Sequence, residues 1–517
     1  MNDLCLALVL VHCVWLLTMR PSRAWVIKAV GLVLAAAGLW YWRPDRAGIY
    51  VIGPWLLLIL LPLWLQQWSM YLIRQRRLLW ARWTAALLTL LHPTSSVRHM
   101  RQMISVLDEF YRGEVVAGTH LAQRLGIHDP GIQNLALVID AQMTGHWAEF
   151  EHRLSQMPSQ GTNDPSLLGG KILATAERGD WEELHRLCGV VSQVHCSPDQ
   201  NAALAARTFA VLGDVSTMSN LLMGSGQLVA REGQEFWLAV AEQVSGAPDH
   251  AEWRLKKLLL RASPTLRPMV ERRLALPAVG PPDGEVRDRS LAELSDLRSV
   301  ILREARFAVL SGGRRVWPVM TLALIAVMIA VFLKEIPGGS EDTENLERLG
   351  AMVVPLTGEP GEWTHAFTSG FLHFGPLHLG LNMLGLLILG RLLERSWGPV
   401  RMLVQFLVCI VVSAALLPWL TFLEKDDIAV FAGASGGIMG LLGGLWGHLL
   451  VGRFCGATPL VRSQFRTASL LIVMQSVCDL MTPQVSMTCH LIGLCTGIIG
   501  GILMGLSGGR RGVRSSA

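Results

Sequence analysis

The sequence contains little charge, which argues against an ordinary soluble protein. Only 16% of its 517 residues are Asp, Glu, Lys or Arg, against about 25% in typical soluble domains. Hydrophobic residues make up 51% of the chain, and the mean hydropathy is +0.39. We therefore expect a lipid bilayer to surround much of the chain.

The sequence also lacks three other signals: a metal-ligand spacing of cysteines, a cation before the first apolar run, and a transit signal. The nine cysteines show no metal-ligand spacing, so we expect no metal site and no other cofactor, and most of the thiols should be small buried hydrophobic groups. The first apolar run has no cation before it, whereas Arg20 and Arg23 follow it, so it reads as a retained membrane span and not a cleaved leader. Since transit signals are also lacking, we expect the plasma membrane of a bacterium.

Apolar stretches are abundant. A helix needs about 18 or more apolar residues to cross roughly 30 Å of hydrocarbon, and nine stretches approach that length. They are Leu4–Thr18, Trp25–Trp42, Ile49–Ile73, Val316–Leu333, Leu377–Leu393, Met402–Leu423, Ser435–Val451, Thr467–Met481 and Cys489–Leu506. The fold class is therefore predicted to be an all-α polytopic membrane protein.

Cations beside these stretches predict the orientation, because short cytoplasmic loops carry the excess of Lys and Arg. Arginines flank the long polar middle segment on both sides, which places that segment in the cytoplasm: Arg74, Arg76, Arg77 and Arg82 before it, and Arg303, Arg306, Arg314 and Arg315 after it. The loop Arg43–Arg46 breaks the rule, so the number of N-terminal spans is the weakest part of this topology. These juxtamembrane clusters account for the net charge of +5, and no nucleic-acid partner is expected.

The polar middle segment contains a repeat. Its glycine turns are 32, 34, 34 and 33 residues apart, beginning at Gly113, Gly145, Gly179, Gly213 and Gly246. That period is typical of tetratricopeptide-like (TPR-like) helix pairs, in which the glycine ends the first helix in a left-handed conformation. An unrelated helical bundle is the alternative. A solenoid of this kind would offer a concave surface to a cytoplasmic protein partner.

These patterns predict five regions. They are a membrane region at 1–82 with about three helices, a cytoplasmic TPR-like domain at 83–276, a linker and juxtamembrane helix at 277–315, a membrane domain at 316–508 and a basic cytoplasmic tail at 509–517. The proline-rich run Pro277–Asp288 reads as the linker, and a polar helix is expected at about Leu291–Leu310.

Polar side chains, which cost free energy when they are placed in the hydrocarbon of a membrane, cluster in the last six spans. His378 and Asn382 are four residues apart and project from one helix face, with His373 just before that helix. Ser435 and His490 each begin a span at its predicted outer end, so they should lie at similar depth.

Such a pair suits nucleophilic catalysis. A serine hydroxyl becomes a good nucleophile when an imidazole within about 3 Å takes its proton. The backbone N–H of Ser435 and the side chains of His378 and Asn382 could donate to an oxyanion. Glycines on both helices would let the backbones approach: Gly433, Gly436, Gly440, Gly443, Gly444 and Gly447 on one, and Gly493, Gly497, Gly500 and Gly501 on the other.

Residues 310–508 resemble the rhomboid family. His373, His378 and Asn382 match its HxxxxHxxxN signature, Gly433-Ala434-Ser435-Gly436 is similar to its GxSG, and His490 with Gly493 and Gly497 is similar to its HxxGxxxG. Gly390, Arg391 and Glu394 are also similar to family residues. The resemblance implies a six-helix intramembrane serine protease that cuts transmembrane protein substrates near the extracytoplasmic membrane surface.

The resemblance also implies roles for individual residues. Ser435 would be the nucleophile and His490 the general base, while His378, Asn382 and the Ser435 amide would form the oxyanion hole. His373, Gly433, Gly436 and Glu394 would support the site. The chain departs from the family pattern at three places: Met439 replaces an aromatic residue, Cys489 replaces a small residue, and Trp363 with His365 stands for a Trp-Arg pair in the first loop.

Other functions fit the sequence less well. A catalytically inactive rhomboid-like scaffold that binds client membrane proteins would be expected to lack Ser435 or His490. A soluble hydrolase would need a strand before Ser435 and an acid before the histidine. A transporter would leave the serine and histidine at matching depth unexplained. Asp479 is a lone acid within a span and is expected to pair locally instead of completing a triad.

Overall fold

A computed structural model describes residues 2–18, 22–126, 130–157, 164–194, 196–275, 284–309, 317–356, 362–420, 429–481 and 486–507. Helices account for most of these residues, and the described strands are two segments of three residues each. The protein is an all-α polytopic membrane protein. The predicted tail at 509–517, most of the proline-rich run and the last residues of the span that was predicted to end at Leu423 lie outside the described residues.

The helices of the first 309 residues are, in chain order, α1 Asn2–Thr18, α2 Arg23–Trp42, α3 Ala47–Trp55, a π-helical turn Leu56–Leu60, α4 Leu61–Arg74, α5 Leu78–Leu91, α6 Ser95–Tyr111, α7 Val115–Gly126, α8 Pro130–Thr144, α9 Trp147–Ser155, α10 Pro165–Arg178, α11 Trp181–Gln193, α12 Pro198–Val211, α13 Val215–Met223, a 3-10 turn Ser225–Leu228, α14 Arg231–Val244, α15 Pro248–Leu259, α16 Arg267–Ala275, α17 Gly284–Glu293 and α18 Ser295–Phe307.

The remaining elements are α19 Val319–Glu335, a 3-10 turn Ile336–Gly338, α20 Thr343–Arg348, β1 Met352–Val354, a 3-10 turn Glu362–Thr364, α21 His365–Thr368, a 3-10 turn Ser369–Phe371, α22 Gly375–Trp397, α23 Pro399–Leu420, β2 Ala429–Phe431, α24 Ser435–Phe454, α25 Pro459–Leu480 and α26 Met487–Ser507. The strands β1 and β2 pair antiparallel, with Met352 opposite Phe431.

Seven helices of the described residues are long and apolar enough to cross a membrane. They match seven of the nine predicted stretches. The stretch Leu4–Thr18 forms an apolar helix below the length of a full span. The stretch Thr467–Met481 belongs to α25, which is long enough but carries Arg462, Arg466 and Asp479 and is therefore less apolar.

The described residues divide into two units. One comprises Met1–Trp15, Ala36–Ile49 and Arg306–Ala517, and the other comprises Leu16–Ala35 and Tyr50–Ala305. The second unit contains a series of helix pairs. Each of the five repeating glycines follows the first helix of a pair with a φ between 67° and 90°, a conformation that penalises any side chain with a Cβ. The TPR-like assignment itself remains a prediction.

Arginines from later helices bind the free carbonyls at the ends of earlier ones. Arg287 on α17 donates from Nε to the carbonyl of Leu212 at 2.9 Å and from Nη2 to that of Gly213 at 3.1 Å. Arg272 on α16 donates in the same way to the carbonyls of Gln142 and Met143 at 3.1 and 2.8 Å. Helix ends leave such carbonyls without an intrahelical partner, so each arginine ties two parts of the repeat series together.

The predicted linker is shorter than expected. Residues 284–288 of the run Pro277–Asp288 are helical, because α17 begins at Gly284 and buries Val286 and Ser290. The polar helix predicted at Leu291–Leu310 is in fact divided between α17 and α18, which ends at Phe307.

The first unit is built around α24. Most residues of this helix are buried, and α22, α23, α25 and α26 pack around it. Glu394 on α22 fastens α19 to this bundle. Its carboxylate accepts hydrogen bonds from the backbone N–H of Met320 and Thr321 and from the Thr321 hydroxyl, at 2.9, 2.8 and 2.7 Å. The two amides belong to the first turn of α19, where N–H groups lack intrahelical partners.

Candidate active site

Ser435 is the first residue of α24, directly after a tight turn that follows β2. The turn depends on Gly433, whose φ of 142° is accessible to glycine but strained for other residues. The Gly433 N–H donates to the carbonyl of Ser369 at 2.9 Å, so a hydrogen bond links this turn to the 3-10 turn Ser369–Phe371 before α22. The serine is half-buried at this end of the bundle.

Glycines join α24 and α26 along a continuous seam. A Cβ added to Gly493 would overlap the carbonyl oxygen of Gly436, and the same is true of Gly497 with Gly440. The next turn repeats this pairing, Gly501 with Gly444. Because partners advance together along both helices, the helices run parallel, with their backbones in direct contact.

The pairing of these glycines determines the positions of Ser435 and His490 along the axis of the helix pair. Ser435 is one residue before Gly436, and His490 is three residues before Gly493. At a rise of 1.5 Å per residue the two positions differ by about 3 Å along the helix pair. The seam therefore brings both to the same end of the bundle, where His490 is buried, with 6% of its surface exposed.

His378 and Asn382 on α22 face the same turn. A Cβ at Gly433 would lie 2.8 Å from Cε1 and 3.1 Å from Nε2 of His378, and 3.8 Å from Nδ2 of Asn382. The backbone N–H of Phe374 donates to His378 Nδ1 at 3.3 Å. Since Nδ1 accepts that hydrogen bond, the hydrogen of a neutral ring is on Nε2, the nitrogen beside the turn.

His373 lies behind His378. Its side chain is fully buried, and its ring meets that of His378 edge-on with 5.5 Å between centroids. The His373 backbone N–H donates to Oε2 of Glu335, at the end of α19, at 3.3 Å. The residue is thus packed against the His378 ring at the start of α22.

Asp479 has a second partner besides the local one that its sequence position predicts. His490 Nδ1 lies 2.8 Å from Asp479 Oδ2, and both side chains are buried, 7% and 3% exposed. The local partner that was expected is also present: Gln475 donates from Nε2 to Asp479 Oδ1 at 2.8 Å, one helix turn away on α25. The spacing of Gln475 and Asp479 was visible in the sequence, but the approach of α25 to the start of α26 was not.

Comparison with known proteins agrees with this architecture. A family model described as the rhomboid domain matches residues 360–507. This segment of the chain is a rhomboid domain. The matched segment includes every helix of the site just described, from α22 to α26.

One curated relative is the rhomboid protease GluP of Bacillus subtilis (strain 168). It is 33% identical over 144 residues, which is 28% of this chain. The match covers about a quarter of the relative, 26% of its length. No solved structure was found to match.

Two of the three departures from the rhomboid pattern, Met439 and Cys489, lie at the seam. Met439 is buried and packs against Leu442 and Leu494, so its side chain takes part in the contact between α24 and α26. The Cys489 sulfur lies 3.2 Å from the point that a Cβ of Gly436 would occupy. In the first loop Trp363 is 55% exposed.

Among the described residues, no group of three or more His, Cys, Asp or Glu side chains is arranged to hold a metal ion. The polar groups at the site are imidazoles, amides, a carboxylate and a hydroxyl, which can transfer protons and donate hydrogen bonds to an oxyanion.

Proposed function

We propose that this chain is an intramembrane serine endopeptidase that cleaves transmembrane protein substrates near the extracytoplasmic membrane surface, using Ser435 and His490. The observation that carries the proposal is the glycine seam between α24 and α26, which sets Ser435 and His490 at the same end of two parallel helices. The name of the B. subtilis relative supports the same activity.

The reaction follows from the available atoms. Nδ1 of His490 is engaged by Asp479, so Nε2 is the nitrogen left to take a proton. As Ser435 Oγ bonds to the scissile carbonyl carbon, its proton passes to Nε2. His490 then gives that proton to the leaving amine as the peptide bond breaks, and a water molecule hydrolyses the acyl-enzyme by the same route in reverse.

The oxyanion would be held by donors that are already oriented. His378 carries its hydrogen on Nε2, beside Gly433, and the Ser435 amide is at the N-terminus of α24, where no intrahelical partner uses it. Asn382 Nδ2 gives one hydrogen to the His378 carbonyl at 3.1 Å and has a second one available. One such donor contributes about 3 to 4 kcal/mol to transition-state stabilisation in serine hydrolases.

The surroundings support a membrane-embedded substrate. The outer faces of α22 and α23 are apolar and exposed, with Leu381, Ile388, Val404 and Val408 among the residues that would meet lipid or a substrate helix. For the helix pairs of the second unit we propose a cytoplasmic location, on the basis of the arginine clusters at the ends of that segment. We also propose a cytoplasmic protein partner, because a TPR-like series of helix pairs would offer a concave binding surface.

The test is labelling with a fluorophosphonate serine probe. Detergent-solubilised wild type is compared with Ser435→Ala, His490→Ala and, as the matched control, Ser396→Ala, which removes an exposed serine at the other end of α22. We expect labelling of wild type and of the control, and its loss in the two site variants.

Two outcomes would count against the proposal. Labelling that persists in Ser435→Ala would mean that another residue reacts. Absence of labelling in a folded wild type would favour the inactive scaffold that binds client membrane proteins, since binding needs no activated serine.

A further inference from the structure

Asp479 is a buried acid that is not a member of the proposed dyad but contacts its histidine. It is on α25, 11 residues before His490, and its side chain is 3% exposed. A carboxylate in such a place costs several kcal/mol of desolvation unless charges or hydrogen bonds compensate it. Both of its oxygens have partners 2.8 Å away: His490 Nδ1 at Oδ2 and Gln475 Nε2 at Oδ1.

We propose that Asp479 is a positioning residue for His490, so that the site works as a Ser435–His490–Asp479 triad; this inference rests on the proposed function. An ionised carboxylate can only accept hydrogen bonds, so it requires the hydrogen of the neutral imidazole to be on Nδ1. Nε2 then presents its lone pair for the serine proton. The carboxylate also stabilises the imidazolium that forms when the proton arrives.

Gln475 completes the arrangement. Its amide donates to the oxygen of Asp479 that His490 does not use, which limits rotation of the carboxylate. Because Gln475 and Asp479 are four residues apart on one helix, α25 carries the pair as a unit. The imidazole is thus oriented by a neighbouring helix as well as by its own.

The test begins with Asp479→Asn, which keeps the shape of the side chain. Its NH₂ group can donate to Nδ1, which moves the imidazole hydrogen to Nε2 and removes the base. We expect the rate of fluorophosphonate labelling to fall at least about tenfold, because the corresponding Asp→Asn change in a serine protease lowers kcat about 10⁴-fold through the wrong tautomer. Asp479→Glu, which restores a carboxylate, should recover part of the rate. Cys478→Ala, beside Asp479 on α25, is the control and should label like wild type.

A second measurement does not depend on activity. The ¹⁵N chemical shifts of histidine-labelled protein report which ring nitrogen carries the hydrogen, and the His490 signal is identified by its loss in His490→Gln. We expect the Nδ1–H form in wild type and in Cys478→Ala, and the Nε2–H form in Asp479→Asn. Thermal unfolding in detergent verifies that the variants are folded.

The two measurements separate the possible failures. Wild-type labelling that is unchanged in a folded Asp479→Asn overturns the triad and leaves the dyad. If wild type does not label, the proposed function fails, and the tautomer decides the inference alone: a switch in Asp479→Asn supports the positioning role, and an unchanged tautomer overturns it.

Discussion

At the residue scale, the site depends on positions where any side chain would interfere. Gly433 combines a φ of 142° with a close approach to the His378 ring. Together, these features keep the His378 ring close to the turn that precedes the Ser435 amide. A residue with a Cβ would have to strain the backbone and displace the imidazole at the same time.

We expect Gly433→Ala to reduce the rate of fluorophosphonate labelling about tenfold or more, because displacing His378 removes an oxyanion donor. The matched control is Gly398→Ala. Gly398 also has a positive φ, 91°, but a Cβ there would meet nothing within 4 Å, so this variant tests backbone strain without the collision. Equal labelling by the two alanine variants would contradict the role assigned to the Gly433–His378 contact.

At the element scale, helices in the two units contact one another in different ways. In the bundle, α24 and α26 have glycines along the faces that meet, so their backbones are in direct contact. In the helix pairs, long arginine side chains extend between elements and bind helix ends that have no partners of their own. These hydrogen bonds add to the hydrophobic core that the helix pairs share.

We expect Arg287→Met to destabilise the end of α12 by about 1 to 3 kcal/mol, because two carbonyls lose charge-assisted hydrogen bonds while the apolar stem is retained. The measurement is hydrogen exchange of the backbone amides at 208–214 in the full chain, where 1.4 kcal/mol corresponds to a tenfold faster exchange.

Arg289→Met is the control for that variant. Arg289 is on the same helix but pairs with an exposed carboxylate, that of Glu182, and such surface pairs contribute about 0 to 1 kcal/mol. If exchange at 208–214 rose equally in both variants, loss of charge on α17 and not loss of the carbonyl contacts would be the cause.

At the scale of the whole molecule, the arrangement across the membrane follows from charge. The predicted topology puts the loop between α19 and α22 outside and the turn between α24 and α25 inside, together with the helix pairs. The proposed active site would then open to the extracytoplasmic side, and the proposed location of the helix pairs is the cytoplasm.

We expect an impermeant maleimide to distinguish these sides in spheroplasts. In a chain whose other cysteines are replaced, Glu344→Cys should react at once, whereas Cys455 and Glu182→Cys should react only after permeabilisation; all three positions are exposed. Reaction of Glu182→Cys in intact spheroplasts would put the helix pairs outside and refute the cytoplasmic assignment.

Much of this protein was predictable from its sequence, because the determining signals are local. Apolar run length marks the spans, since hydrocarbon thickness dictates it, and a left-handed turn after a helix selects glycine wherever it occurs. The order of the motifs around His378, Ser435 and His490 indicated the rhomboid domain. Each of these signals lies within a few consecutive residues.

Other features were decided only by tertiary structure. The sequence showed glycines on α24 and α26 but not the register that pairs Gly436 with Gly493. That register brings Ser435 and His490 to the same end of the helix pair. Likewise Asp479 reads as an isolated acid until α25 packs beside the start of α26 and its carboxylate meets Nδ1. The cost of burying a polar group is known from sequence, whereas the partner that offsets it depends on which helices become neighbours in space.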